Sequence, residues 1–262
     1  MLARSLLAVP VSKKYRVCLH DSNILNLLVM FEGSSDPLSA GPPVVAVGTS
    51  AGGISVLRDV LCDVPRDLGA AVLVVMHIPP VRRSQLAPIL ARVSRVPVEE
   101  AVHGARFLAG VVYVAPPDHH LLVGRHRLHL STAPREKAAR PAIDPLFRSA
   151  ARHHGPRAVG VVLSGMLDDG SAGLLAIRDA GGITIVQDPA DAAFSEMPRS
   201  AVAQVGPDHV VPAAQLAEVI AGAVRQAAEG VATAGRIVPI PAQRPSTMRV
   251  SRSRTAVGTS RS

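Results

Sequence analysis

Hydrophobic and polar positions along the chain form blocks that predict strands alternating with helices. Short runs of Val, Ala, Ile and Leu indicate strands buried on both faces. Apolar residues at helical spacing follow most of these runs and indicate helices that cover a sheet. The predicted strands are residues 44–47, 70–76, 96–101, 111–115, 158–163, 183–187 and 209–211, and the predicted helices are residues 54–62, 84–93, 143–154, 172–180, 197–204 and 213–228.

This alternation predicts an α/β fold with a doubly wound, mostly parallel sheet flanked by helices. Gly124 lies between two short apolar runs, which predicts a small β-hairpin beside the main sheet. We expect one folded domain over residues 42–230. Residues 1–41 are predicted to be a partly disordered N-terminal extension, and residues 231–262 a basic disordered tail.

Composition and charge narrow the picture further. Aromatic residues make up only 2% of the chain and Trp is absent, so the core must consist of Val, Leu, Ala and Ile. The net charge of +8 suggests an anionic partner such as nucleic acid, but much of it lies at the end of the chain. Because positive and negative charges nearly balance in the predicted domain, we predict no nucleic-acid binding. No acidic residue follows Glu229, whereas six arginines do: Arg236, Arg244, Arg249, Arg252, Arg254 and Arg261.

The cysteines and the apolar runs indicate the compartment. Two cysteines, Cys18 and Cys62, offer no disulfide framework and no metal-ligand spacing, so a reducing cytoplasm is the simplest setting. No apolar run approaches the roughly 18 residues that cross a bilayer, and the first ten residues resemble no secretory signal. Adjacent histidines at 119–120 and 153–154 diverge on a strand or helix, so we predict no metal site.

Polar side chains follow three of the predicted buried strands: Ser50, His77 and the pair Asp168-Asp169. Ligands bind beyond the carboxyl ends of the strands in doubly wound sheets. A serine hydroxyl needs a base such as imidazole, and the imidazolium that forms needs a buried carboxylate. These stretches therefore predict a Ser-His-Asp triad at one edge of the sheet.

Each of these residues also has an ordinary structural interpretation. Ser50 could cap the helix that begins near Gly52, and His77 could simply end a strand at the surface. Asp168 and Asp169 could cap the helix that begins at Ser171. The residues alone leave both interpretations open.

The turn around Ser50 is rich in small residues, and the backbone amides of Ala51, Gly52 and Gly53 are expected to face the same point as its hydroxyl. Residues 48–52 satisfy the Gly-x-Ser-x-Gly elbow of α/β-hydrolases. In those enzymes the acid precedes the histidine, whereas here the histidine comes first. A dinucleotide-binding turn would need glycine at position 50 and an acidic residue at the end of the second strand. This chain has Ser50 and His77 at those positions, which argues against dinucleotide binding.

Six ordered motifs between residues 44 and 224 resemble the catalytic domain of the chemotaxis protein-glutamate methylesterases, the CheB type. The resemblance implies that Ser50 is the nucleophile, His77 the base and Asp169 the orienting carboxylate, with the amide of Met166 stabilising the oxyanion. The motifs are Val-Gly-Thr-Ser-Ala-Gly-Gly (47–53), Met-His-Ile-Pro-Pro (76–80), Tyr-Val-Ala-Pro-Pro-Asp-His-His (113–120), Arg-Pro-Ala-Ile-Asp-Pro-Leu-Phe (140–147), Leu-Ser-Gly-Met-Leu-Asp-Asp-Gly (163–170) and Met-Pro-Arg (197–199).

The resemblance also implies an activity and a partner. The expected reaction is hydrolysis of γ-glutamyl methyl esters on the cytoplasmic domain of a methylated chemoreceptor, without metal or cofactor. Some members of the family also deamidate receptor glutamines. The expected location is the cytoplasm, with no membrane insertion.

The sequence departs from the family pattern in three places. The family usually has glycine where Leu167 stands and threonine where Ala51 stands, and residues 1–41 are too short to fold as the receiver domain that most members carry. We therefore expect no control by phosphorylation within this chain. A catalytically silent module that binds a receptor or signalling partner is the alternative, and a phosphate- or nucleotide-binding loop at 48–53 is a third hypothesis.

Overall fold

The structure, a computed structural model, describes residues 41–78 and 84–234. Within these residues nine strands and six α-helices follow one another along the chain. The strands are β1 (Val44–Thr49), β2 (Ala71–Met76), β3 (Val98–Glu100), β4 (Val112–Val114), β5 (His120–Val123), β6 (Leu128–Ser131), β7 (Ala158–Val162), β8 (Ile183–Gln187) and β9 (His209–Val211). The helices are α1 (Gly53–Asp63), α2 (Leu86–Ala91), α3 (Ile143–His154), α4 (Ser171–Asp179), α5 (Glu196–Val205) and α6 (Ala213–Ala234).

Seven of the described strands form one parallel sheet in the order β3-β4-β2-β1-β7-β8-β9. The first strand lies at the centre, so the chain builds outward to one side through β2 and later to the other side through β7. The point where the winding direction changes lies between β1 and β7, and the carboxyl ends of these strands open a crevice there. The remaining two strands, β5 and β6, form an antiparallel hairpin.

Alternate side chains of the central strands enter two separate cores. Val45 and Val47 of β1 face α1, α2 and α6, in a core whose fully buried members among the described residues are all Val, Leu, Ala or Ile. Val44 and Ala46 face α3, α4, α5 and the hairpin. On that side a few larger residues, among them Phe147 and Met197, supplement the aliphatic side chains.

The predicted fold class is confirmed, and the parallel sheet and the hairpin at Gly124 are both present. The differences lie at element ends. The second helix, predicted to begin at Ser84, begins at Leu86, whose amide donates to the Ser84 hydroxyl at 3.0 Å. The last helix extends to Ala234, beyond its predicted end at 228. Residues 1–40 and 235–262, which hold most of the predicted extension and tail, lie outside the described residues.

Candidate active site

Ser50 follows the last residue of β1 and stands at the crevice between β1 and β7. It occupies a turn that Gly52 closes with a φ of +74°, a left-handed conformation that glycine adopts without strain. Gly52 is the cap residue at the start of α1, where no side chain of residues 41–78 or 84–234 forms a capping hydrogen bond. The Ser50 side chain therefore does not cap α1, which was the alternative interpretation of this residue.

One continuous chain of hydrogen bonds joins the three predicted side chains. Nδ1 of His77 lies 3.2 Å from Oγ of Ser50, and Nε2 of His77 lies 2.7 Å from Oδ2 of Asp169. An ionised carboxylate can only accept, so the Nε2 atom carries the imidazole proton. The Nδ1 lone pair then faces the serine hydroxyl, which is the tautomer that can remove a proton from Ser50.

Asp169 is a buried carboxylate, 1% exposed, held by the beginning of α3. Its oxygens accept the amide of Ile143 at 2.7 Å and the amide of Asp144 at 3.2 Å, in addition to the His77 proton. Burial by itself would raise the pKa of Asp169, but the hydrogen bonds from His77 and the two amides outweigh burial and lower it. The carboxylate is therefore ionised whenever the site is at neutral pH.

Asp168 has a different environment from its neighbour. Its exposed carboxylate lies 2.8 Å from the Lys137 ammonium, away from the imidazole. Neither aspartate caps α4, because the cap residue is Gly170 and the amide of Gly173 instead donates to Asp144 at 2.7 Å. The capping interpretation of this pair is therefore wrong.

Ser164, which the sequence analysis did not select, connects the two loops of the crevice. Its carbonyl oxygen accepts the Ser50 amide at 3.0 Å, and its hydroxyl donates to the Ala51 carbonyl at 2.9 Å. The same hydroxyl accepts the amide of Phe194 at 3.0 Å. Ser164 is completely buried. Its place at the end of an apolar run, as with Ser50 and His77, was the available signal.

The turn after Ser164 lies directly against Ser50. A Cβ atom on Gly165 would stand 3.0 Å from the Cβ of Ser50. Within residues 41–78 and 84–234, the amides of Ala51, Gly52 and Met166 have no hydrogen-bond acceptor. The amide of Gly53, predicted to join them, already donates to the Ser50 carbonyl at 3.2 Å.

The described residues contain no cluster of three or more His, Cys, Asp or Glu side chains that could hold a metal ion. In the same part of the chain, every helix is too short or too polar to cross a bilayer. What this site offers is a serine hydroxyl, a base of the correct tautomer and a buried carboxylate. Such a set can carry out acyl transfer.

Comparisons with known proteins agree on one family. The family model described as CheB methylesterase matches residues 45–220. The chain is 43% identical over 182 residues to a protein-glutamate methylesterase/protein-glutamine glutaminase of Burkholderia pseudomallei, and 45% identical over 169 residues to one of Anaeromyxobacter dehalogenans. These alignments cover 68% and 64% of this chain and 50% of each relative. The chain thus spans about half the length of the curated relatives it matches.

A solved structure extends the similarity to the fold. The crystal structure of the CheB methylesterase catalytic domain of Thermotoga maritima superposes with a TM-score of 0.67 at 30% sequence identity. The alignment covers 70% of this chain and 98% of that domain. The region that the family model matches, residues 45–220, contains the strands and turns that carry Ser50, His77 and Asp169.

Proposed function

The chain belongs to the CheB methylesterase family, and from that premise we propose that it is a serine hydrolase that cleaves γ-glutamyl methyl esters on a chemoreceptor. The observation that carries the proposal is the hydrogen-bonded chain from Ser50 through His77 to Asp169. Relatives named protein-glutamate methylesterase/protein-glutamine glutaminase support the substrate class.

In the first half of the reaction, Oγ of Ser50 attacks the ester carbonyl while Nδ1 of His77 takes the hydroxyl proton. The imidazolium is then stabilised by the Asp169 carboxylate at Nε2. When the tetrahedral intermediate collapses, the C–O bond to the methoxy group breaks and His77 returns the proton to it. Methanol leaves, and the glutamyl group remains as an ester on Ser50.

In the second half, water replaces methanol and the same groups act again. His77 removes a proton from water, which attacks the acyl carbonyl, and then protonates Oγ of Ser50 as it departs. The product is a receptor glutamate. Attack on a glutamine side chain would follow the same sequence with ammonia as the leaving group, which accounts for a glutaminase activity at one site.

The negative charge on the carbonyl oxygen needs donors that are already in place. We assign this role to the amides of Met166, Ala51 and Gly52, which lack acceptors within the described residues. Gly53 is excluded because its amide closes the turn. Removing one such donor typically costs about 3–4 kcal/mol of transition-state stabilisation, so the positions of these three amides relative to Ser50 affect the rate.

The proposed partner is the methylated cytoplasmic domain of a chemoreceptor, and the proposed location is therefore the cytoplasm. The test is release of methanol from a methylated receptor fragment by the purified chain. Ser50→Ala should abolish release, whereas Ser94→Ala, at a half-buried serine outside the site, should retain it. Release that survives Ser50→Ala would remove Ser50 as the nucleophile. Receptor binding by the wild type without any methanol would favour a silent binding module instead.

A further inference from the structure

The turn from Gly165 to Asp169 crosses the mouth of the candidate site. It begins in contact with Ser50 at Gly165 and ends at His77, where Asp169 binds the imidazole. Met166 and Leu167 lie between these two points, and both side chains are exposed. A substrate carbonyl that reaches Ser50 therefore lies beside this turn.

Leu167 combines two unfavourable features at this position. Its φ is +65°, in the left-handed region that bulky residues rarely adopt, and its side chain is 66% exposed to solvent. Strained conformations of this kind persist where the surroundings fix them, and they are concentrated at functional sites. The strain gives a reason to look for a role for the side chain.

Two side chains, those of Glu196 and Lys137, hold the turn in this conformation. The Leu167 amide donates to Oε2 of Glu196 at 3.0 Å. On the other side, the Lys137 ammonium lies 2.8 Å from the Asp168 carboxylate and donates to the Asp168 carbonyl at 3.0 Å. Leu167 is thus fixed from both ends with its side chain in solvent.

Leu167 also belongs to a larger apolar rim made of Met166, Leu167 and Phe194. Phe194 is 43% exposed, its carbonyl accepts the Gly165 amide, and a Cβ on Gly52 would stand 3.0 Å from its ring. These three residues are half of the large hydrophobic side chains that are strongly exposed in the described residues. Exposed apolar side chains grouped beside a site are typical of an interaction surface.

We propose that Leu167 is a specificity-determining residue that contacts an apolar side chain next to the modified glutamate on a protein substrate. The inference rests on the proposed function and names the part of the substrate that the rim binds. A protein segment lying across the mouth would cover the exposed leucine and remove apolar surface from water. A small ester that occupies only the space at Ser50 would not reach it.

The experiment compares two substrates and four variants. The kcat/KM is measured for a methylated receptor fragment and for p-nitrophenyl acetate. The readout is the value for the receptor fragment divided by the value for p-nitrophenyl acetate. Leu167→Ala and Leu167→Gly should both lower this ratio about tenfold, mainly through KM for the receptor fragment. Leu167→Met should restore most of it. Leu108→Ala is the matched control, since Leu108 is 63% exposed and lies on the loop that leads into β4, at the amino ends of the strands.

The outcomes separate the contact from the backbone and from the proposed function. Equal losses on both substrates, or a glycine variant that differs strongly from the alanine variant, would assign Leu167 to the shape of the turn and overturn the inference. An unchanged ratio would overturn it as well, while methanol release by the wild type would leave the proposed function standing. A wild-type chain that hydrolyses p-nitrophenyl acetate but releases no methanol would overturn both.

Discussion

Asp169, which precedes α4, caps α3, and Asp144, which lies in the first turn of α3, caps α4. Asp169, just before α4, accepts the first amides of α3, and Asp144, in the first turn of α3, accepts the Gly173 amide in the first turn of α4 at 2.7 Å. Both carboxylates are buried. Carboxylates at helix N-termini satisfy free amides and complement the helix dipole. The side chain that holds His77 is therefore fixed by the packing of two helices.

The Asp144 cap can be tested with two substitutions, of which one keeps the hydrogen-bond acceptor and the other removes it. Burial raises the pKa of Asp144, and the nearby Asp169 charge adds to this, although the Gly173 amide opposes it. Asp144→Asn removes the unfavourable charge and can still accept the Gly173 amide, so its free energy of unfolding at pH 7 should be no lower than that of the wild type. Asp144→Ala should lower it by about 1–2 kcal/mol. Urea unfolding measures both, and equal losses in the two variants would contradict the capping role.

Asp169→Asn should lower kcat by about 10⁴-fold, because the neutral side chain no longer stabilises the imidazolium that forms at His77. Oδ2 of Asp169 accepts both the His77 proton and the Ile143 amide, and an asparagine NH₂ group placed there would also reverse the imidazole tautomer. KM for the receptor fragment should change little. Asp168→Asn is the control, and it should change kcat by less than tenfold because its carboxylate faces Lys137. Comparable losses in the two variants would contradict the distinct role of Asp169.

The sequence was sufficient to identify residues that end buried strands. Ser50, His77 and Asp169 each follow a run of apolar residues, and parallel strands bring their carboxyl ends to one edge. Which of two adjacent aspartates faces the imidazole could not be derived from pattern, since it depends on the position of α3. The resemblance to a known family supplied that choice.

Residues whose roles depend on contacts between distant loops were not predictable. Ser164 forms hydrogen bonds with Ala51, which is 113 positions away along the chain, and with Phe194, which is 30 positions away. The local sequence pattern does not indicate such distant contacts. The left-handed conformation of Leu167 was equally hidden, because a leucine signals no positive φ. The resemblance to the family marked Leu167 as a departure from the usual glycine. The positive φ of this residue shows why glycine suits the position.

Ser164→Ala should reduce kcat by roughly 10–100-fold while KM changes little, because the turn at Ser50 would lose its link to the Phe194 loop. The substitution removes the hydrogen bond to the Ala51 carbonyl and leaves the Phe194 amide without its acceptor. These two part-buried groups would lose their partners, which should also lower the free energy of unfolding by about 1 kcal/mol. Steady-state kinetics and urea unfolding measure the two effects. A stability loss with wild-type kcat would confine Ser164 to a structural role.

We expect the free energy of unfolding to fall in mild acid because of His154, which lies outside the candidate site. It is a buried imidazole whose Nε2 lies 3.1 Å from the Gly124 carbonyl, which accepts its proton, and whose ring lies 5.8 Å from that of Phe107. Burial lowers the pKa of His154 to about 4, against the raising effect of the Gly124 hydrogen bond and with the help of the nearby Arg157, His153 and His126. In the unfolded chain the pKa returns to about 6.5.

Because the folded state binds this proton more weakly than the unfolded state, the contribution of His154 is fully present above about pH 6.5. It is lost as the pH falls from there toward 4, and amounts to about 3 kcal/mol across that range. His154→Gln cannot titrate and can still donate to the Gly124 carbonyl. Urea unfolding at pH 7, 6, 5 and 4.5 should therefore show the wild type losing stability relative to the variant at each step. Parallel curves for the two proteins would mean that His154 is protonated equally in both states.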